Sequence, residues 1–150
     1  MQFFWHHKIL SLFIIAGIVY WFANPWHKFG LGRPSAVVFN KVPVMFFDLY
    51  VDPEGKQIAF ENLRQERNIQ TWMEQKIQSL PEDPGTAKVL LLVGTGFSPG
   101  AAFKLPETAE GMLFNKGFLV KYMSTPEAML KYNELHDMNK PVAILLHLLE

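Results

Sequence analysis

The stretch VLLLVGTGFSPG, from Val89 to Gly100, decides the fold. Its uninterrupted apolar start is typical of a central strand that is covered on both faces. The run ends at Gly94-Thr95-Gly96, and two interpretations of this spacing stand. The backbone N–H groups could surround an anion, or the glycines could serve a tight turn that needs a positive φ or a close backbone approach. Because nucleotide-binding loops need further glycines or a Gly-Lys-Ser/Thr sequence, the turn is the favoured interpretation.

Downstream of this strand the chain alternates between helix and strand patterns. The predicted segments are helix 105–117, strand 118–123, helix 124–140 and strand 141–149. Pro106 stands near the start of the first helix and Gly117 at its end, while Thr125 is predicted to cap the second. Alternating strands and helices predict parallel pairing through right-handed crossovers.

Upstream, residues 35–52 predict two antiparallel strands around Asn40-Lys41. A turn is predicted at 52–55, and an amphipathic helix with Asn68 as its N-cap over 68–80. The expected fold is therefore a small α/β domain, residues 35–150, with a central, largely parallel sheet and an N-terminal β-hairpin. A linker is predicted at 30–34.

The N-terminal 29 residues contain an uncharged run from Ile9 to Trp26. Its length falls within the roughly 17 to 25 residues that cross a bilayer, and Lys8 and Lys28 flank it. The pattern predicts a transmembrane helix in residues 1–29. A cleaved signal peptide is disfavoured by bulky Trp21 two positions before Ala23, and a buried core helix is the remaining alternative.

The basic residues after this segment outnumber those before it, which weakly places the α/β domain on the matrix or cytoplasmic side. The expected location is that of a single-pass protein in the mitochondrial inner membrane or bacterial plasma membrane, in contact with membrane lipid. The formal net charge is zero and no basic patch interleaved with aromatic residues occurs, so no nucleic-acid partner is expected. The chain has no cysteine, which excludes disulfides and thiolate catalysis.

The C-terminal half carries four ordered motifs: VLLLVGTG, LPET, GFLVKYMSTPEAMLKYNEL and PVAILL. In this order they resemble the small α/β family that includes mitochondrial complex I assembly factor three and the adipogenesis-associated domain proteins. The third motif contains Thr125, Ala128, Tyr132, Asn133 and Leu135 at the family's spacing. The resemblance covers 35–149 and implies a three-layer fold without an established reaction. The N-terminal apolar segment is an addition to the family pattern.

Five residues are candidates for a binding site: Gly94, Thr95, Gly96, Tyr132 and Asn133. Tyr132 and Asn133 could line a pocket, although a buried ring with a satisfied hydroxyl and an amide bonded to a neighbouring loop is the favoured interpretation. The five histidines show no metal-ligand spacing. No acid, base and nucleophile combine into a catalytic pattern, so neither catalytic residues, metal nor cofactor are predicted.

The resulting hypothesis is a membrane-anchored, non-catalytic interaction or scaffold protein. It would help to assemble a membrane complex or belong to it as an accessory subunit, and the resemblance points to a respiratory-chain complex. The alternative is a small-ligand-binding protein or an enzyme that uses Gly94-Thr95-Gly96 at the strand ends. Filling of that region by Phe97, Phe103 or Tyr132 would favour the scaffold, and convergent polar groups around a cavity would favour the alternative.

Overall fold

A computed structural model describes residues 2–23, 26, 28–34, 36–45, 47–60, 66–78, 89–98 and 103–148. The elements are, in chain order, α1 (Gln2–Ala23), β1 (Phe29–Arg33), β2 (Ala36–Phe39), β3 (Val42–Met45), β4 (Asp48–Val51), β5 (Gln57–Phe60), α2 (Glu66–Trp72) with a π-helical continuation (Met73–Ile77), β6 (Val89–Gly94), α3 (Glu107–Asn115), β7 (Phe118–Met123), α4 (Thr125–Asp137) and β8 (Val142–Leu146). The predicted strand at the start of the Gly-x-Gly stretch is confirmed as β6.

The central sheet has five strands in the order β5-β4-β8-β6-β7. β6 is parallel to both β7 and β8, as the helix and strand alternation predicts. β4 is antiparallel to β8 and to β5, so the sheet is mixed and the largely parallel prediction is wrong. The predicted turn at 52–55, where Gly55 has a φ of 81°, folds β5 back beside β4.

The core lies on both faces of this sheet, and every residue of β8 is buried. One face packs against α4 and a second sheet through residues such as Leu92, Ile144 and Leu146. The other face packs against α2, its π-helical continuation and α3 through residues such as Leu91 and Leu145. Alternate residues of one strand therefore serve two cores, which explains why the sequence shows continuous apolar runs.

The second sheet is antiparallel, with strand order β1-β2-β3. The β2–β3 hairpin confirms the predicted turn at Asn40 and Lys41, which both have a positive φ, of 50° and 65°. Such a two-residue turn matches the twist of the strands it joins. The predicted second strand is divided, however, because β4 belongs to the central sheet. The predicted linker 30–34 lies mostly in β1, whose glycines Gly30 and Gly32 weaken any strand pattern in the sequence.

Two predicted helix starts differ from the structure. α2 begins at Glu66, so Asn68 lies inside the helix instead of capping it. α4 is capped by Ser124 and not by Thr125. The Glu127 carboxylate accepts hydrogen bonds from the Ser124 hydroxyl, at 2.7 Å, and from the Ser124 N–H, at 3.1 Å. These bonds lower the pKa of Glu127 and close the first turn of the helix.

The N-terminal segment forms α1 but does not meet the requirements of a membrane span. Among the described residues no helix combines the length and the apolar character needed to cross a bilayer. The helix ends at Ala23, so its uncharged part from Ile9 covers only about 22 Å at 1.5 Å per residue, against roughly 30 Å of hydrocarbon. The predicted transmembrane helix, and with it the single-pass location, is therefore wrong.

The last turn of α1 is attached to the β2–β3 hairpin through Lys41. The Lys41 ammonium donates to the carbonyl oxygen of Trp21, at 3.0 Å, and lies 3.5 Å above the Trp21 ring. The Tyr20 hydroxyl donates to the carbonyl oxygen of Lys41, at 2.8 Å. A cation at the C-terminal end of a helix also interacts favourably with the helix dipole. These contacts fix the point at which α1 leaves the domain.

Candidate functional site

The C-terminal end of β6 is a topological switch point. The chain leaves β6 through α3 to reach β7 on one side and returns through α4 to reach β8 on the other. Open α/β sheets bind ligands at such points, outside the carboxyl ends of the strands. Gly94, Thr95 and Gly96 lie here, beside the start of α4 and the end of β8.

Gly94 lies where the start of α4 and the side chain of Leu146 on β8 come close to the end of β6. A Cβ atom at this position would lie 2.7 Å from Leu146 Cδ2, 2.8 Å from Thr125 Oγ1 and 3.1 Å from the Thr125 Cα. The neighbouring backbone cannot move away without shifting α4. A close backbone approach, one of the two interpretations of the Gly-x-Gly spacing, accounts for this glycine.

The backbone N–H groups of the glycine turn form hydrogen bonds with other groups of the protein. The Thr95 N–H donates to the carbonyl oxygen of Met123 at 2.9 Å, and the Gly96 N–H donates to Thr125 Oγ1 at 3.1 Å. The Thr125 N–H returns a bond of 2.9 Å to the Gly96 carbonyl oxygen. Gly96 has a φ of 131°, a conformation that favours glycine. The N–H groups of Thr95 and Gly96 are thus used to hold α4 and β7.

A buried histidine–carboxylate pair that the sequence patterns did not predict lies next to this turn. His147 Nδ1 lies 3.0 Å from each carboxylate oxygen of Asp48, and the Leu148 N–H donates to Asp48 Oδ1 at 2.7 Å. Both side chains are fully buried. Since a carboxylate accepts hydrogen bonds, this geometry places the imidazole hydrogen on Nδ1. The available signal was a lone polar residue inside each of two apolar stretches, MFFDLYV and ILLHLL.

The other imidazole nitrogen faces a closed environment. Within the part of the chain that the structure describes, His147 Nε2 is buried and has no hydrogen-bond partner. The Phe103 ring stacks on the imidazole with centroids 4.9 Å apart, and Phe103 itself is only 4% exposed. An aromatic side chain therefore covers the face of this imidazole at the switch point.

Tyr132 lies in an aromatic cluster between α4 and the second sheet. Its ring is 1% exposed and contacts Phe29 and Phe39 edge to face, with centroids 5.4 Å and 6.0 Å away. Burial, with a smaller contribution from the negative charge of Asp52, raises the pKa of Tyr132 to about 12. The ring of Tyr132 accordingly forms part of the core between α4 and β1–β2.

Asn133 joins α4 to the edge strand β1. Its amide oxygen accepts from the Phe29 N–H at 2.8 Å, and its amide nitrogen donates to the Phe29 carbonyl oxygen at 2.7 Å. The amide thus makes the same pair of bonds that a neighbouring antiparallel residue would make. Asn133 also lines a cleft of about 210 Å³ with Phe97, Pro126 and Leu130. The three residues of the glycine turn do not line this cleft, so the five candidate residues do not meet in one cavity.

Among the described residues, no three His, Asp or Glu side chains converge in a way that could hold a metal ion. The pair of Asp48 and His147 has one feature of a metal site, since a carboxylate that orients an imidazole commonly supports a metal-binding histidine. A third ligand is missing from the described part of this site.

Comparison with solved structures supports the fold. The chain is similar to an outer membrane protein from Bartonella henselae, with a TM-score of 0.59 and 21% identity over 85% of this chain and 98% of that one. It is also similar to a conserved hypothetical protein from Pyrococcus horikoshii OT3, with a TM-score of 0.51 and 21% identity over 82% and 99% of the two chains. A Xanthomonas campestris protein solved by NMR is similar as well, with a TM-score of 0.50 and 16% identity over 81% of this chain and 85% of that one. No family model and no curated protein matches the chain.

The contacts at Gly94 predict the effect of adding one methyl group. Gly94→Ala should lower the free energy of unfolding by about 1–3 kcal/mol, the usual cost of overpacking, because the new Cβ would meet Thr125 and Leu146. Gly111→Ala is the matched control, since nothing lies within 4 Å of a Cβ there. In the middle of α3 it should stabilise the protein by about 0.5–1 kcal/mol. Urea denaturation measures both, and equal effects of the two substitutions would contradict the close-approach interpretation.

The aromatic cluster predicts the effect of truncating Tyr132. Tyr132→Ala should cost about 3 kcal/mol or more, as expected for a buried aromatic residue. Leu130→Ala, on the exposed side of the same helix, should change stability by less than about 0.5 kcal/mol. A small effect of Tyr132→Ala in the same denaturation experiment would show that the ring does not support the core.

The raised pKa of Tyr132 predicts a loss of stability in alkali. The folded protein keeps this phenol protonated above its unfolded pKa of 10, so its contribution is complete below pH 10 and decreases as the pH rises towards about 12. Tyr132→Phe lacks this titration, whereas Tyr50 and Tyr122, whose pKa values are also raised, remain in both proteins. The stability of the parent relative to the Phe variant should therefore stay constant from pH 8 to about pH 10 and fall between about pH 10 and pH 12. A constant difference in urea midpoint would contradict the assignment.

Proposed function

We propose that the chain is a non-catalytic interaction protein that binds another protein subunit through α1. The observation that carries this proposal is the exposure of α1. Eight large apolar side chains of this helix are more than half exposed: Leu12, Phe13, Ile14, Ile15, Ile18, Val19, Trp21 and Phe22. These residues span about three helical turns and point in all directions around the axis.

An apolar surface of this extent marks an interaction site. Folded chains on their own rarely expose apolar patches beyond roughly 300–600 Å², and a helix that is apolar all round is one that becomes buried. No charged residue occurs from Ile9 to Ala23, so the complementary surface must be uncharged as well. The partner chemistry that fits is an apolar groove between helices of another subunit, which encloses α1 from several sides.

The attachment of α1 supports a binding role. Lys41 holds the last turn of the helix through the Trp21 carbonyl oxygen and the Trp21 and Trp26 rings. A helix that is held at one end presents its surface in a defined direction, and this lowers the entropy lost when a partner binds. The closure of the switch point by Phe103 favours a scaffold over an enzyme.

The resemblance of the C-terminal half to the family of mitochondrial complex I assembly factor three suggests which assembly is involved. On that basis we infer a role as an assembly factor or accessory subunit, with a respiratory-chain complex as the first candidate to examine.

A second candidate function is small-ligand binding or catalysis at the glycine turn. One observation favours it: a buried histidine, oriented by Asp48, keeps an unpartnered Nε2 among the described residues at the switch point. A nitrogen oriented in this way can accept a proton or bind a ligand donor once Phe103 moves.

Co-purification with two charged variants tests the primary proposal. Tagged full-length chain is isolated from its own cells, with a photo-reactive amino acid at position 18. We expect one protein to cross-link and to co-purify in a fixed ratio with the parent. Ile15→Asp should abolish this association because it buries a charge in an apolar interface.

The control is Leu130→Asp, which introduces the same charge at an apolar residue that is 71% exposed on α4. It should leave the association unchanged. Retention of the partner by Ile15→Asp, or its loss from Leu130→Asp alone, would contradict binding through α1.

A further inference from the structure

The outward face of the second sheet carries an apolar hollow of about 390 Å³. Its lining includes Gly32, Arg33, Ala36, Val38, Pro43 and Met45. The volume falls within the roughly 300–1,000 Å³ of small-molecule sites. This hollow lies on the opposite side of the sheet from the aromatic cluster, and the function proposed for α1 does not use it.

Strand register explains why the hollow is apolar with one charged end. Arg33 pairs with Ala36, which pairs with Met45, so these three residues form one row across the sheet. Val38 and Pro43 form the next row on the same face, about 7 Å away along the strands. Val37 and Val44 alternate with them and point into the core, where both are buried. The hollow is therefore an apolar surface that ends at a guanidinium.

The two ends of this surface differ in charge. Arg33 is exposed and forms no ion pair with any acidic side chain in the described ranges. Lys41, at the hairpin turn beyond Val38 and Pro43, already binds the Trp21 carbonyl oxygen and the Trp21 ring. An anion entering the hollow thus meets an available cation at one end only.

We propose that the hollow binds a straight-chain carboxylate of medium length. The hydrocarbon chain lies over Ala36, Val38, Pro43 and Met45, and the carboxylate pairs with Arg33. The apolar lining removes the chain from water, and the planar guanidinium provides two parallel donors for a carboxylate. Charge complementarity at Arg33 distinguishes this ligand from a neutral hydrocarbon or an alcohol.

Calorimetric titration of the full chain with decanoate and with decanol tests the proposal. Decanoate should bind, and decanol, which has the same chain without the charge, should bind about tenfold more weakly. Arg33→Gln should weaken decanoate by about tenfold and leave decanol unchanged. Arg67→Gln, at an exposed arginine of α2, is the charge control and should leave both affinities as in the parent.

A second variant locates the binding site. Ala36→Phe fills the centre of the hollow and should abolish binding of both compounds, and its circular dichroism and urea midpoint verify that it folds. Decanoate binding that survives Ala36→Phe would place the ligand elsewhere, for instance on α1, and overturn the proposal. Equal affinity for decanoate and decanol, or an equal loss in Arg33→Gln and Arg67→Gln, would overturn the role of Arg33.

Discussion

The close contact between Gly94 and Thr125 is the constraint on which the rest of the structure depends. A hydrogen atom in place of a side chain lets the start of α4 rest on the end of β6. From that point Thr125 binds Gly96, and its hydroxyl also lies within reach of the His147 carbonyl oxygen. The His147 N–H in turn donates to the Gly94 carbonyl oxygen. One residue thereby joins two parallel strands, the following turn and the helix that covers them.

The strands and helices after Val89 could be predicted from the sequence because local and tertiary signals agree there. β6, β7 and β8 are apolar runs, and Gly117, with a φ of 79°, ends α3 as a C-terminal glycine commonly does. The mixed sheet was not predictable in the same way. The turn at 52–55 was predicted, but the antiparallel pairing of β4 with β8 joins Leu49 to Leu146, which are far apart in the sequence. In the second sheet, β1 shows no clear alternation, and Asn133, which bonds it, lies 104 residues from Phe29. The transmembrane interpretation took the uncharged run up to Trp26 as the spanning length, whereas the helix itself ends at Ala23.

The candidate site was predictable in part. The glycine spacing identified the right turn, and its two interpretations could be separated only by the position of Thr125. The motif around Tyr132 and Asn133 identified residues that the structure uses to hold β1. Asp48 and His147 were missed because a contact between residues 99 positions apart leaves no spacing to recognise. Sequence patterns report the neighbours along one element, whereas this pair joins β4 to the residue that follows β8.

The position of β8 in the middle of the sheet has a consequence for synthesis on the ribosome. β8 lies between β4 and β6, so the hairpin of β4 and β5 cannot join the parallel strands until residues 142–146 have left the exit tunnel. During elongation β4 offers an unpaired edge for the time needed to make more than half of the chain. Such an edge is a template for mispairing between nascent chains. This strand order therefore delays completion of the sheet and leaves a long interval in which chaperones can bind.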